Sequence, residues 1–177
     1  SIDPVTPTTL YAAGGGPYSK SVDGGATWAF AFPGLASHVD SVIIDADTPS
    51  TLYADTNRGI LRSMDSGTSW TELNTGIPNF NTINSITLDS AHNIVYAATS
   101  FGIRSADGGN TWADIGNVSF GVSTIAFDPT NTSVLYAATA ISILKSTDSG
   151  NSWFESNTGY SGTRISSLVI NPTQPST

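Results

Sequence analysis

The chain of 177 residues contains no cysteine, so it has no disulfide framework, no thiolate metal ligand and no cysteine nucleophile. Charge is scarce, at 11% of residues, and lysine stands only at Lys20 and Lys145. The formal net charge of −8 repels the phosphates of nucleic acid and the headgroups of an anionic membrane, which argues against both as partners. No apolar run approaches the roughly 20 residues that span a bilayer, so membrane insertion is not expected. No signal peptide opens the chain, although Ser1 is not an initiating residue and an earlier leader is compatible with it. Nor does any stretch keep a 3.6-residue apolar period long enough for a helix. Gly, Ser, Thr, Asn and Asp are abundant, the composition of many turns joined by short strands.

Within that composition one pattern recurs. S-x-D-x-G-x-[ST]-W is carried by Ser21, Asp23, Gly25 and Trp28; by Ser63, Asp65, Gly67 and Trp70; by Ser105, Asp107, Gly109 and Trp112; and by Ser146, Asp148, Gly150 and Trp153. The tryptophans are 42, 42 and 41 residues apart, and they are the only four in the chain. A second element precedes each: Leu10-Tyr11-Ala12, Leu52-Tyr53-Ala54, Val95-Tyr96-Ala97 and Leu135-Tyr136-Ala137. Before that comes a β-branched run ending at Asp45, Asp89, Asp128 and Asn171. Each unit therefore reads as four short strands: A the apolar run, B the Tyr-Ala segment, C leading into the Ser-Asp-Gly turn, and D starting at the Trp.

An all-β fold of four-stranded antiparallel blades follows, since about 42 residues is the size of one propeller blade and one such sheet cannot cover both its faces alone. The Asp and Gly belong to the C–D turn, where Asp accepts backbone N–H groups and Gly supplies φ > 0. The Trp is expected to place its ring between adjacent sheets. Blade 1 spans about residues 1–37, blade 2 38–80, blade 3 81–121 and blade 4 122–163 of one propeller domain or segment. Residues 165–171 read as one further strand A, expected to complete blade 1, which begins at the very end of a strand A in Ser1-Ile2-Asp3. Closure into a four-bladed ring, an eight-bladed ring of two chains, an open head-to-tail succession, and a place in a longer chain all satisfy that pattern.

These repeats resemble those of the Asp-box (bacterial neuraminidase repeat) β-propellers, which include sialidases, xyloglucan-hydrolysing glycosidases and sortilin-type receptors. The resemblance covers essentially the whole chain and implies the fold; it does not by itself imply an activity, because unrelated functions share the scaffold. Sialidases need an arginine cluster and a Tyr–Glu pair. Here Arg62 and Arg104 share one repeat position with Lys20 and Lys145, which leaves only Arg58 and Arg164. The catalytic segment of the xyloglucanases does not map onto this chain.

Most of the candidate chemistry is absorbed by the repeat. Asp23, Asp65, Asp107 and Asp148 are turn residues; Asp3, Asp45, Asp89 and Asp128 close strand A; Glu72, Asp114 and Glu155 follow the Trp by two. Asp40, Asp47 and Asp55 remain, with Asp40 and Asp55 the best acid pair for glycoside hydrolysis. His38 precedes strand A of its blade whereas His92 follows strand A of the next, so the two are not expected to meet. No metal site and no cofactor motif is present; Asp45-Ala46-Asp47 lacks the spacing of a calcium loop. Asn117 and Asn131 match the glycosylation acceptor pattern.

The D–A and B–C loops should share one face and carry Tyr18, His38, Asp40, Asp55, Asn57, Arg58, Phe80, Phe101, Phe120, Tyr160 and Arg164, the residues that the repeat does not dictate. Aromatics with a few polar groups suit a glycan or protein ligand, while Phe80, Phe101 and Phe120 could equally pack loop on blade. The reading is of an extracellular or cell-surface propeller that binds or assembles without catalysis and self-associates through its last strand, with a fragment of a glycoside hydrolase as the alternative.

Overall fold

The computed structural model describes residues 1–31, 38–77, 83–99, 102–116, 118, 121–162 and 165–171. The first sheet holds β1 (Leu10–Ala12), β2 (Ser19–Ser21) and β3 (Ala29–Phe30). Three sheets of four strands follow. They are β4 (Val39–Ile44), β5 (Leu52–Thr56), β6 (Gly59–Ser63) and β7 (Thr71–Glu72); β8 (Ser85–Asp89), β9 (Ile94–Ala98), β10 (Ile103–Ser105) and β11 (Ala113–Asp114); and β12 (Val122–Asp128), β13 (Asn131–Thr139), β14 (Ile143–Ser146) and β15 (Phe154–Glu155). Each sheet is an antiparallel meander in chain order. The described residues contain no α-helix, only a 3-10 turn at Ser90–His92, and none of their helices is long and apolar enough to cross a membrane.

Alternation along strand B explains the repeated Leu-Tyr-Ala. Leu52 and Ala54 pack with Tyr11 and Tyr18 of the preceding blade, while Tyr53, pointing the other way, packs with Ile86, Val95 and Trp112 of the next. Blade 3 repeats the rule: Val95 and Ala97 face blade 2, and Tyr96 and Ala98 face blade 4. The core is thus three separate interleaves between neighbouring sheets, not one central mass.

The Ser-Asp-Gly turns have one geometry in all four copies. In the first, Ser21 Oγ donates to Asp23 Oδ1 at 2.7 Å and accepts from Gly25 N at 2.9 Å, while Asp23 accepts the N–H and the hydroxyl of Thr27 at 2.9 and 2.5 Å. The same bonds join Ser63, Asp65, Gly67 and Ser69; Ser105, Asp107, Gly109 and Thr111; and Ser146, Asp148, Gly150 and Ser152. Gly67 and Gly109 need their φ of 88° and 92°, and a Cβ on Gly109 would stand 2.5 Å from Leu73 Cδ1.

Neighbouring blades are also tied by a repeated lock. Tyr53 Oη and Arg62 Nη1 of blade 2 both donate to the Gly108 carbonyl in the turn of blade 3, at 3.0 and 2.9 Å. Tyr11 and Lys20 do the same to Ser66 O at 3.2 and 3.1 Å, and Arg104 reaches Ser149 O at 2.8 Å. In blades 1 to 3 the basic residue before the turn, Lys20, Arg62 or Arg104, is therefore an inter-blade tie.

One expectation needs correction. Trp70, Trp112 and Trp153 pack against the preceding blade, but Trp28 is 47% exposed, because no described blade precedes its own. Among the described residues, no strand pairing joins 165–171 to β1 within the one chain. Ile165 is buried on blade 4 and Val169 is 89% exposed, while Ile2 already bridges Leu10 at the edge that a full strand A would take.

Candidate functional site

Strand A begins, and strand B ends, at the same end of every blade. There the A strands of neighbouring blades come together through side-chain donors. Asn84 Nδ2 donates to Val122 O at 2.7 Å, and Ser123 Oγ donates to Ile165 O at 2.8 Å. Asn84, Ser123 and Ser166 stand at one repeat position, five residues before Asp89, Asp128 and Asn171. They line a cleft of about 500 Å³ together with Gly121, Ala140 and Ile165. Asp40 holds this position in blade 2. It lies in a β-bulge between Val39 and Ser41, as Ser123 lies between Val122 and Thr124, and such bulges re-aim a side chain at a sheet end.

Asp40 breaks the pattern chemically. An ionised carboxylate has no proton to donate to the next strand A, so the tie made by Asn84 and Ser123 is not open to it. Its Oδ1 instead meets His38 Nε2 at 3.2 Å, and both side chains are about half exposed. Asn57 N donates to His38 O at 3.2 Å and draws the B–C loop of blade 2 against the same spot.

Asp55 breaks the pattern a second time. The repeat places Ala13, Ala98 and Ala138 at its position, small residues under the next blade. Asp55 is only 2% exposed, and it faces Ser41 across the ladder. Neither its Oδ2 nor Ser41 Oγ has a hydrogen-bond partner. Burial, and after it the charge of Asp40, pushes the Asp55 carboxyl up to about 7. Two carboxylates thus occupy adjacent places in blade 2 where other blades carry an amide, hydroxyls and alanines.

The remaining expected site residues scatter. Arg58 is exposed but paired with Glu72, and its carbonyl accepts from Asn74 Nδ2 at 2.8 Å. Asn57 is exposed beside it. Tyr160 is half-buried, its ring closed over Gly162. Tyr18 is a correction: it is fully buried, its hydroxyl donates to Gly67 O at 3.1 Å, its ring meets Trp70 edge-on, and burial pushes the phenol up to about 12. It is a core residue because it precedes β2 by one and falls under the turn of blade 2. Phe80, Phe101, Phe120, Arg164 and Asn117 lie outside the described residues. Asn131 is exposed at the start of β13, at the opposite end of the blade. His92 lies at that end too, its Nδ1 2.9 Å from Asp89, well away from His38. Among the described residues no cluster of three metal-ligating side chains occurs.

The sequence reading passed over Asn84, Ser123 and Ser166. Aligning each strand A backward from its terminal Asp or Asn would have found them, because they share the column of Asp40.

This stacking of four-stranded meanders, each with its strand A against the next, is matched by solved structures. The fold is a run of β-propeller blades. It is similar to the GH74 xyloglucanase of Xanthomonas campestris at 19% identity and a TM-score of 0.75, over 97% of this chain and 33% of that one. A GH74 enzyme of Niastella koreensis matches at 22% identity and a TM-score of 0.73, over 87% and 28%. An auxiliary nutrient binding protein of Bacteroides thetaiotaomicron matches at 15% and 0.63, over 88% and 40%. The chain thus spans about a third or less of the GH74 structures it matches. No protein-family model and no curated protein matches it.

Proposed function

We propose that this propeller segment, of the Asp-box type, binds carbohydrate at the loop end of its blades without cleaving it, as part of an extracellular or cell-surface protein. The observation that carries this reading is the row formed by Asp40, Asn84, Ser123 and Ser166, three members of which line the 500 Å³ cleft. Small amide and hydroxyl groups beside one exposed carboxylate match the closely spaced donors and acceptors of a sugar. That the similar structures include enzymes named for xyloglucan and a nutrient binding protein supports a glycan as the ligand class. The extracellular domain of a one component system from Bacteroides thetaiotaomicron, similar at a TM-score of 0.66, supports the location.

The test is titration of the chain with xyloglucan oligosaccharides by calorimetry, with Ser123→Tyr, which fills the cleft, as the control. Saturable binding that Ser123→Tyr weakens tenfold or more is expected. Binding that is absent, or unchanged in Ser123→Tyr, would overturn the reading.

One observation favours a second reading, a segment of a glycoside hydrolase. The Asp55 carboxyl, pushed up to about 7 by burial, has the property that a general acid needs, and Asp40 is the second carboxyl beside it. Its burial at 2% exposure weighs against this, since the leaving oxygen must reach it. Release of reducing sugar that is lost in Asp55→Asn would favour the hydrolase.

A further inference from the structure

Successive A strands are tied by side-chain donors at two repeat positions. At the first, Asn84 Nδ2 donates to Val122 O at 2.7 Å and Ser123 Oγ to Ile165 O at 2.8 Å. Each of these carbonyls belongs to the residue just before the next member of the row, Ser123 or Ser166. The second position stands two residues before the terminal Asp of strand A. From it Thr87 Oγ1 donates to Ile125 O at 2.6 Å, and Ser1 Oγ donates to Val42 O. Blade 1 is thus joined to blade 2 by the second tie, and blade 3 to blade 4 by both.

The A strands of blades 2 and 3, β4 and β8, also lie against each other, but β4 carries a donor for neither tie. Ile43 stands at the Thr87 position and has nothing to donate. Asp40 stands at the Asn84 position, where the repeat sets it toward the carbonyl of Ile83, the residue before Asn84. An acceptor is there set opposite an acceptor. His38 meets Asp40 at Oδ1 only. Two more oxygens stand on the same face. Tyr53 packs toward blade 3, so Asp55, two residues further along β5, faces the same way, with Ser41 directly across the ladder. Asp55 Oδ2 and Ser41 Oγ are both buried without a hydrogen-bond partner, and Asp55 as a whole is 2% exposed. Ala98 and Ala138 hold the Asp55 position in blades 3 and 4, so the scaffold does not require a carboxyl there.

We propose that the junction of blades 2 and 3 is a calcium site, with Asp40, Asp55, Ser41 Oγ and the Ile83 carbonyl as its protein ligands. Buried polar atoms are almost always satisfied, and what these four share is a need for positive charge. The bases of blade 2 do not supply it, since Arg58 pairs with Glu72 and Arg62 with the Gly108 carbonyl. One water has only two hydrogens to offer four acceptors. A set made wholly of oxygens, two of them carboxyls, suits calcium, which completes its shell with water, and does not suit metals that favour nitrogen or sulfur. Only two of the four ligands are acidic, so the site is consistent with the lack of any three-membered acidic or histidine cluster among the described residues. The ion does for blades 2 and 3 what Asn84 and Thr87 do for blades 3 and 4. It requires no sugar, so the inference goes beyond the carbohydrate reading and does not rest on it.

The test is titration of the full chain, first freed of divalent ions with a chelator, with calcium chloride at constant ionic strength. Calorimetry should show saturable binding. The melting midpoint should rise by roughly 5 °C once calcium stands about a hundredfold above its Kd. Two variants install residues that other blades carry, Asp40→Asn and Asp55→Ala, and circular dichroism establishes that each stays folded. Each should weaken calcium binding tenfold or more and remove most of the rise in midpoint. A wild-type midpoint that does not respond to calcium overturns the proposal. So does a rise that sodium chloride reproduces, which would be screening of the net charge, and so does calcium binding that is unchanged in both variants.

Discussion

The carboxyl of Asp55 lies directly across the A–B ladder from Ser41, and neither Asp55 Oδ2 nor Ser41 Oγ finds a partner. Unpaired buried polar atoms cost stability. Their pairing at one spot, under the exposed Asp40 and His38, marks blade 2 as the place where the repeat departs from scaffold duty.

That departure has a measurable pH signature. The folded-state value of Asp55 is raised from 3.8 to about 7, so between those limits the folded state holds a proton that the unfolded chain has released. Stability should therefore fall as pH rises from about 4 to about 7 and level off above. Asp55→Ala, which installs the residue of the other blades, should abolish that fall and raise stability at pH 8 by up to about 4 kcal/mol. Urea unfolding at pH 4.5 and pH 8 checks this; equal stabilisation at both values would show that the carboxyl ionises freely.

Two equivalent tyrosines should behave oppositely. Tyr53 Oη donates to Gly108 O, whereas the buried Tyr96 Oη has no partner. Tyr53→Phe should cost about 1 kcal/mol, and Tyr96→Phe should be neutral or stabilising by a similar amount. Matched denaturation curves of the two variants decide it, and equal losses would contradict the lock geometry.

The turns set the acid limit. Hydrogen bonds, first from Ser69 in Asp65 and from Ser105 in Asp107, hold these carboxyls at about 2, below the 3.8 of the unfolded chain. Asp23 and Asp148 are held at about 2 as well, chiefly by Thr27 and Ser152. A lowered folded value means stabilisation that is present above pH 4 and is lost as pH falls toward 2. Thermal melts should drop steeply over that window in the wild type and less steeply in Asp65→Asn, whose midpoint at pH 7 should already be lower. A parallel drop in both would show that Asp65 contributes nothing through its charge.

The position of Ser66 bears on the same turns. Ser66 and Ser149 adopt φ of 57° and 59°, where the other two turns have Gly24 and Gly108. Left-handed backbone at a side-chain-bearing residue is unfavourable. Ser66→Gly should therefore leave stability unchanged or raise it by about 0.5 kcal/mol, read as a midpoint shift in urea; a clear loss would mean the serine side chain is needed there.

Much of this molecule was legible as periodicity. A spacing of 41 to 42 residues, an alternating Leu-Tyr-Ala and a Ser-Asp-Gly turn define strands, turns and their order, because each depends on neighbours within a few residues: φ of a glycine, the reach of an Asp to a nearby N–H, the two faces of a strand. The columns of the repeat also exposed Asp40 and Asp55 as exceptions. What the columns could not give is which side of a sheet meets which neighbour. Tyr18 looked like a loop residue and is core, and Trp28 looked buried and is half exposed, since burial is decided by the sheet stacked alongside. Lys20, Arg62 and Arg104, each before a turn, became inter-blade ties only when the next turn was seen to lie across from them. Asn84, Ser123 and Ser166, far apart in the chain, share one cleft because consecutive blades bring successive A strands together. Local chemistry fixed the blade; the stacking of blades alone decided which side chains became core, tie or site, since that depends on contacts some 40 residues apart.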